Sequence, residues 1–137
     1  MNYENQNTEY KETWRDEYLK WICGFANAQG GRLYIGIDDN GNVRGISNAH
    51  KLSEEIPNKI VAYLGIVADV NILHKDGKEY IEIDVAPSNV PISLKGVYHY
   101  RSGSTNHQNV RHRNQDIKSK ILDFAHTLRR IAAYRTA

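Results

Sequence analysis

Ile22-Cys23-Gly24-Phe25-Ala26-Asn27-Ala28-Gln29-Gly30-Gly31-Arg32-Leu33-Tyr34-Ile35-Gly36-Ile37-Asp38-Asp39 contains the end of an amphipathic helix, a double-glycine stop and a strand closing on two carboxylates. Tyr18, Trp21, Ile22, Phe25 and Ala26 recur at three- and four-residue spacing and so share one helical face, while Asp16, Glu17, Lys20 and Asn27 turn to water. Gly30 and Gly31 supply backbone that a helix C-terminus needs and a side chain resists. Leu33-Tyr34-Ile35-Gly36-Ile37 is apolar on both alternations, the pattern of a central strand covered on both faces. Asp38 to Asn42 is a dense turn signal around Asn40-Gly41, and Val43 to Ile46 reads as a second extended piece closing a hairpin.

Working outward, Thr8 to Glu12 suits a short strand, and Thr13 suits the N-cap of the first helix, with Asp16 and Glu17 in its opening turn. Leu52, Ile56, Ile60, Val61 and Leu64 mark the apolar face of a second helix. Pro57 leaves two versions of it open, a kinked helix or one starting near Glu54 with the proline in its first turn. Val67 to His74 and Glu79 to Val85 alternate on either side of a tight turn, Lys75 to Lys78. In that hairpin Ile81, Ile83 and Val85 face the core, whereas Glu82 and Asp84 point out. A further strand spans Gly96 to Arg101 and ends in the polar turn Ser102 to Asn106. From Asn114 on, Ile117, Ile121, Leu122, Phe124, Ala125, Leu128 and Ile131 have helical spacing, with Lys118, Lys120, Arg129 and Arg130 on the other face.

At 137 residues, 40% apolar and 25% charged, the chain has the size and composition of one globular domain. No apolar run reaches the length of a membrane span and the N-terminus is polar, so a cytoplasmic address without membrane attachment is expected. Cys23 is the single cysteine and lies on the apolar side of the first helix, which makes it a packed thiol. The net charge of +2 is unevenly spread: residues 1 to 39 carry four Lys/Arg against seven Asp/Glu, and residues 111 to 137 carry seven against two. An acidic start and a basic end raise the prospect of a polyanionic partner, although a basic terminal helix is also an ordinary solvated face.

Thr8-Glu9-Tyr10-Lys11, the stretch from Ile22 to Gly41, and Tyr98-His99-Tyr100-Arg101-Ser102-Gly103-Ser104-Thr105, taken together, resemble the Schlafen-type Alba domain. The resemblance runs from about Glu4 to Thr105 and divides the chain into a domain over residues 1–110 and a basic helix over residues 111–137. Tyr10 stands where the family usually has Phe. The resemblance implies an α+β fold, a mixed β-sheet with two packed helices plus the C-terminal amphipathic helix, together with an affinity for nucleic acid, DNA or RNA, and use as the DNA-binding part of a transcriptional regulator. Some Schlafen relatives are endoribonucleases with two glutamates before the first helix and an aspartate after the double glycine. Glu4, Glu9 and Asp38 occupy those places here, with Asp39 an alternative third member.

Three converging carboxylates would hold a divalent cation, Mg or Mn, that activates water beside a phosphate. The same residues also have plain duties, since Glu9 suits a pair with Lys11 or Arg32, and Asp38 and Asp39 suit a turn. Apart from that alternative no cofactor is expected. For binding, Lys95 to Gln115 includes Lys95, Arg101, Arg111 and Arg113 with no acid, together with His99, His107 and His112. Lys95, Arg101, Ser102, Ser104, Thr105, Arg111 and Arg113 are the expected phosphate contacts, and Tyr98 or Tyr100 would either stack on a base or pack in the core. The apolar face of the C-terminal helix suits a second copy of the chain, so a homodimerisation or scaffold module is a third reading. A P-loop lacks its Lys-Ser/Thr ending, the six histidines lack ligand spacing, and no Ser or Cys sits in a nucleophile elbow.

Overall fold

The computed structural model describes residues 4–108. Arg111, Arg113 and the helix expected from Asn114 lie outside the described residues. Strand β1 (Thr8–Lys11) leads through a short 3-10 turn (Asp16–Tyr18) into helix α1 (Leu19–Asn27), which returns as strand β2 (Gly31–Ile35). Helix α2 (Ala49–Leu64) precedes the hairpin of β3 (Asp69–Lys75) and β4 (Lys78–Val85). Three short strands follow: β5 (Ser93–Leu94), β6 (Val97–Ser102) and β7 (Thr105–Gln108).

The main sheet has the order β1-β2-β4-β3, with β1 and β2 parallel and the other pairs antiparallel; β5-β6-β7 form a separate antiparallel sheet. The fold is thus α+β, with a mixed sheet and two packed helices. In register, Leu33 lies opposite Ile83 and Ile35 opposite Ile81. These four are fully buried against Ile22, Phe25 and Ala26 of α1 and Ile56 and Ile60 of α2. The hairpin turn uses Asp76 and Gly77, both at positive φ (52° and 74°), the geometry whose twist matches the flanking strands. Gly30 ends α1 at φ 78°, and Gly31 lets the Phe25 ring lie where a side chain would stand, 2.5 Å from a Cβ built there.

Four local expectations are corrected. β2 is interior to the sheet but covered on one face only: Arg32 is exposed and Tyr34 half-buried, because both helices pack on the side of Leu33 and Ile35. Val43 to Ile46 forms no strand; Ile37 and Val43 make a single bridge, and the Arg44 and Gly45 amides bond to the Gly36 carbonyl at 2.8 and 3.0 Å. Thr13 does not cap the helix, whose entry is the 3-10 turn; the Asp16 carboxylate instead takes Lys59 at 2.7 Å and the Trp14 indole at 2.8 Å. Val61 is 53% exposed and lies off the buried stripe of Leu52, Ile56, Ile60 and Leu64. Pro57 sits inside a continuous α2, so only the helical N–H toward the Ser53 carbonyl is lost. Among the described residues no helix is long and apolar enough to cross a membrane.

Candidate nucleic-acid interface

Helix α1 packs against β2 on one side and β6 on the other, so it joins the small sheet to the main one. Asn27, at its last position, is buried and not turned to water as expected; it donates to the carbonyls of Ile92 (2.7 Å) and His99 (2.8 Å) and accepts the Ile92 amide at 2.7 Å. A buried amide side chain is tolerated only when satisfied in this way, and here it fastens the loop before β5 and strand β6 to one helix end. The Cys23 thiol, also buried, donates to the Ile92 carbonyl at 3.2 Å, as suits a packed structural cysteine. Gly24 permits the closest approach: the Asn106 side chain occupies the space a Cβ would need, and its amide reaches the Lys20 carbonyl at 2.9 Å.

Strand β6 alternates so that His99 and Arg101 point toward α1 while Tyr98 and Tyr100 lie half-buried on the other face. His99 is 5% exposed, and burial, with the nearby Lys20 charge, pulls its imidazole below the ordinary value. It is therefore not a surface contact. Arg101 departs furthest from expectation. Its side chain is fully buried, with Nη1 2.6 Å from Glu9 Oε1 and Nη2 donating to the carbonyls of Asn5 (2.6 Å) and Thr8 (2.8 Å). The guanidinium also lies about 5 Å from the ring centres of Trp21 (5.1 Å) and Phe25 (5.0 Å). A planar fork of donors flanked by two rings is a geometry that arginine supplies and lysine does not. Its effect is to lock the N-terminal turn and β1 onto β6, with the Gln6 amide adding a bond to the Arg101 carbonyl at 2.9 Å. The expected phosphate contact at Arg101 is thereby corrected, since a cation enclosed this way has no face left for a polyanion.

The other expected contacts fall on the surface. Ser102, Gly103, Ser104 and Thr105 are all exposed at the β6–β7 turn, and Lys95 is exposed in the β5–β6 turn at φ 51°, its ammonium 5.8 Å from the Tyr63 ring centre.

The carboxylates divide into two places. Glu9 Oε1 holds Arg101, and its Oε2 lies 3.2 Å from the Lys11 ammonium. Glu4 accepts the Tyr10 amide at 3.2 Å, and burial followed by the neighbouring Glu9 charge pushes its carboxyl above the ordinary range. Asp38 is a turn residue: Oδ1 accepts the amides of Asn40 and Asn42, both at 2.9 Å, and Oδ2 takes Arg44 at 2.8 Å. Those amides and Arg44 hold its carboxyl below the ordinary range. Among the described residues no three His, Cys, Asp or Glu side chains are grouped to hold a metal ion. The convergence that a Glu4, Glu9 and Asp38 metal centre needs is thus not the arrangement adopted: the oxygens of Glu9 and Asp38 face fixed protein donors, so the set does not fit a divalent cation.

The Schlafen, AlbA_2 family model matches residues 4–111, and the chain belongs to that family. Two solved structures resemble it in fold. The DIP2311 protein of Corynebacterium diphtheriae superposes with a TM-score of 0.62 at 20% identity over 74% of this chain, which spans 22% of that longer protein. The N-terminal domain of a RecG-related protein of Nitrosomonas europaea gives 0.56 at 18% identity, over 84% of this chain and 90% of that domain.

Proposed function

We propose that this chain is a nucleic-acid-binding domain, serving as the DNA- or RNA-contacting module of a cytoplasmic transcriptional regulator. The observation that carries the reading is the exposed turn from Ser102 to Thr105. It is anchored from beneath by Arg101 and opens a stretch that holds cations and no acids as far as Gln115. Hydroxyls and backbone amides on an anchored turn position a phosphodiester backbone, and Lys95, Arg111 and Arg113 supply the attraction. Family membership supports the same reading. So does the likeness to the Nitrosomonas europaea domain, whose parent protein is described in relation to an ATP-dependent DNA helicase.

The test is a titration of labelled DNA and RNA against rising salt. Affinity should fall steeply with salt, and Lys95→Ala with Arg111→Ala should flatten the slope by about two counterions. Binding indifferent to salt, or retention of neither polymer at low salt, refutes the proposal. Repeating the titration with Mg2+ or Mn2+ and reading for fragments addresses the nuclease alternative, and light scattering on the same sample tests for a homodimer.

A further inference from the structure

The face of the main sheet turned away from α1 and α2 takes no part in the interface just described. Register places Thr8 and Tyr10 of β1, Arg32 and Tyr34 of β2, and Tyr80 of β4 on it, and alternation along β3 adds Lys75. Tyr34 lies at the centre of an aromatic floor, its ring 5.8 Å from that of Tyr10 and 6.4 Å from that of Tyr80. The loop after β2 rises at one end through Ile37 and Val43, and Asn5 stands at the other, enclosing a trough of about 510 Å3. That is ample for a small ligand or a short run of a larger one.

The charges on this face are sorted. Of the residues lining the trough, Arg32 and Lys75 are the charged ones, and both are cations. They stand toward opposite ends: Arg32 is in the row of Asp84 and Asp69, and Lys75 is six positions further along β3, roughly 20 Å at a strand's rise per residue. The acids of this face, Asp69, Glu82 and Asp84, lie outside the lining, and two of them act on it indirectly. Glu82 accepts the Tyr34 hydroxyl at 3.0 Å and so holds that ring in place, while Asp84 forms a loose, exposed pair with Arg32 at 3.8 Å. Fixed rings between two separated cations complement a molecule that alternates flat apolar groups with anions.

We propose that this tyrosine-floored trough binds a short single-stranded stretch of nucleic acid, with bases stacked on Tyr34 and Tyr80 and phosphates meeting Arg32 and Lys75. The proposal rests on the nucleic-acid reading above and narrows it, because paired bases in a duplex have no free ring face to offer the floor. It is tested by anisotropy titration of the full chain with a labelled oligothymidylate and with a hairpin duplex of equal base count. Tyr80→Leu, which keeps apolar bulk but removes the ring, should weaken single-strand binding by about tenfold and leave the duplex unaffected. Lys75→Ala should lower the salt slope for the single strand by about one counterion. Urea melts of both variants confirm that they are folded, and Tyr80→Phe, which retains the ring face, should bind as the parent does.

Unchanged single-strand affinity in folded Tyr80→Leu and Lys75→Ala overturns the trough while leaving the wider reading intact. A parent chain that holds the duplex and not the single strand does the same. If the parent retains neither probe, both readings fall together.

Discussion

Replacing Arg101 by methionine should unfold much of what holds the N-terminus to the small sheet. The substitution keeps an unbranched side chain of similar reach, so the changes are electrostatic. Glu9, itself 2% exposed, would lose the partner 2.6 Å away and keep Lys11 at 3.2 Å beside the Glu4 carboxyl. Removing one member of a buried pair costs about 3 to 5 kcal/mol when the remaining charge loses its enclosed partner, and here Lys11 offsets part of that loss. The carbonyls of Asn5 and Thr8 lose their donor as well, and the Trp21 and Phe25 rings lose the cation beside them. A loss of about 4 kcal/mol is expected, equivalent to roughly 15 °C in Tm for a domain of this size. Against a total stability of about 5 to 15 kcal/mol, that leaves a marginal protein. Urea unfolding followed by tryptophan fluorescence suits the measurement, since Trp21 lies against the guanidinium. Glu9→Gln combined with Arg101→Met should cost at least about 2 kcal/mol less than the sum of the separate changes, the mark of a coupled pair. If Arg101→Met shifts stability by less than about 1 kcal/mol, the structural role is wrong. If it also abolishes oligonucleotide binding, the arginine is a contact after all.

Two further outcomes follow from the half-buried Glu4 and the buried Asn27. Glu4 has its carboxyl pushed up by burial and by Glu9, so the folded state favours the protonated acid. That stability is present below the ordinary carboxyl value and disappears as pH rises through the raised one. Glu4→Gln, which keeps an acceptor for the Tyr10 amide, should therefore raise Tm near neutral pH and lose the advantage near pH 4; thermal melts across that range that show no crossover would contradict it. Asn27→Ala leaves the Ile92 amide and the His99 carbonyl without their side-chain partner and the Ile92 carbonyl with the weaker Cys23 thiol donor, and should cost about 3 kcal/mol and speed amide exchange in β6. A cost under about 1 kcal/mol would mean that water replaces the amide there.

The elements whose signal is local were legible in the order of residues. Gly30-Gly31 marks a helix stop whatever surrounds it, because the conformational demand is met within two residues. The strict alternation from Glu79 to Val85 sorts Ile81, Ile83 and Val85 from Glu82 and Asp84 for the same reason. Thr13, Val61 and the stretch Val43 to Ile46 misled, each being permissive of what was expected without requiring it; packing chose otherwise, with a 3-10 entry to α1 and an α2 rotated so that Val61 faces water. Glu4, Glu9 and Asp38 look alike as letters, yet Glu9 meets Arg101 from 92 positions away while Asp38 serves its own turn.

What the sequence settled unaided was the buried stripe of Ile22, Phe25 and Ala26 on α1 and the alternation of Ile81, Ile83 and Val85 on β4, both consequences of periodicities shorter than a few turns, while the resemblance of its ordered blocks to the family supplied the fold class. Tertiary structure alone decided which cations remain at the surface and which tyrosines gather on the uncovered sheet. Both depend on strand order and on which face the helices cover, and those follow from contacts between residues far apart along the chain.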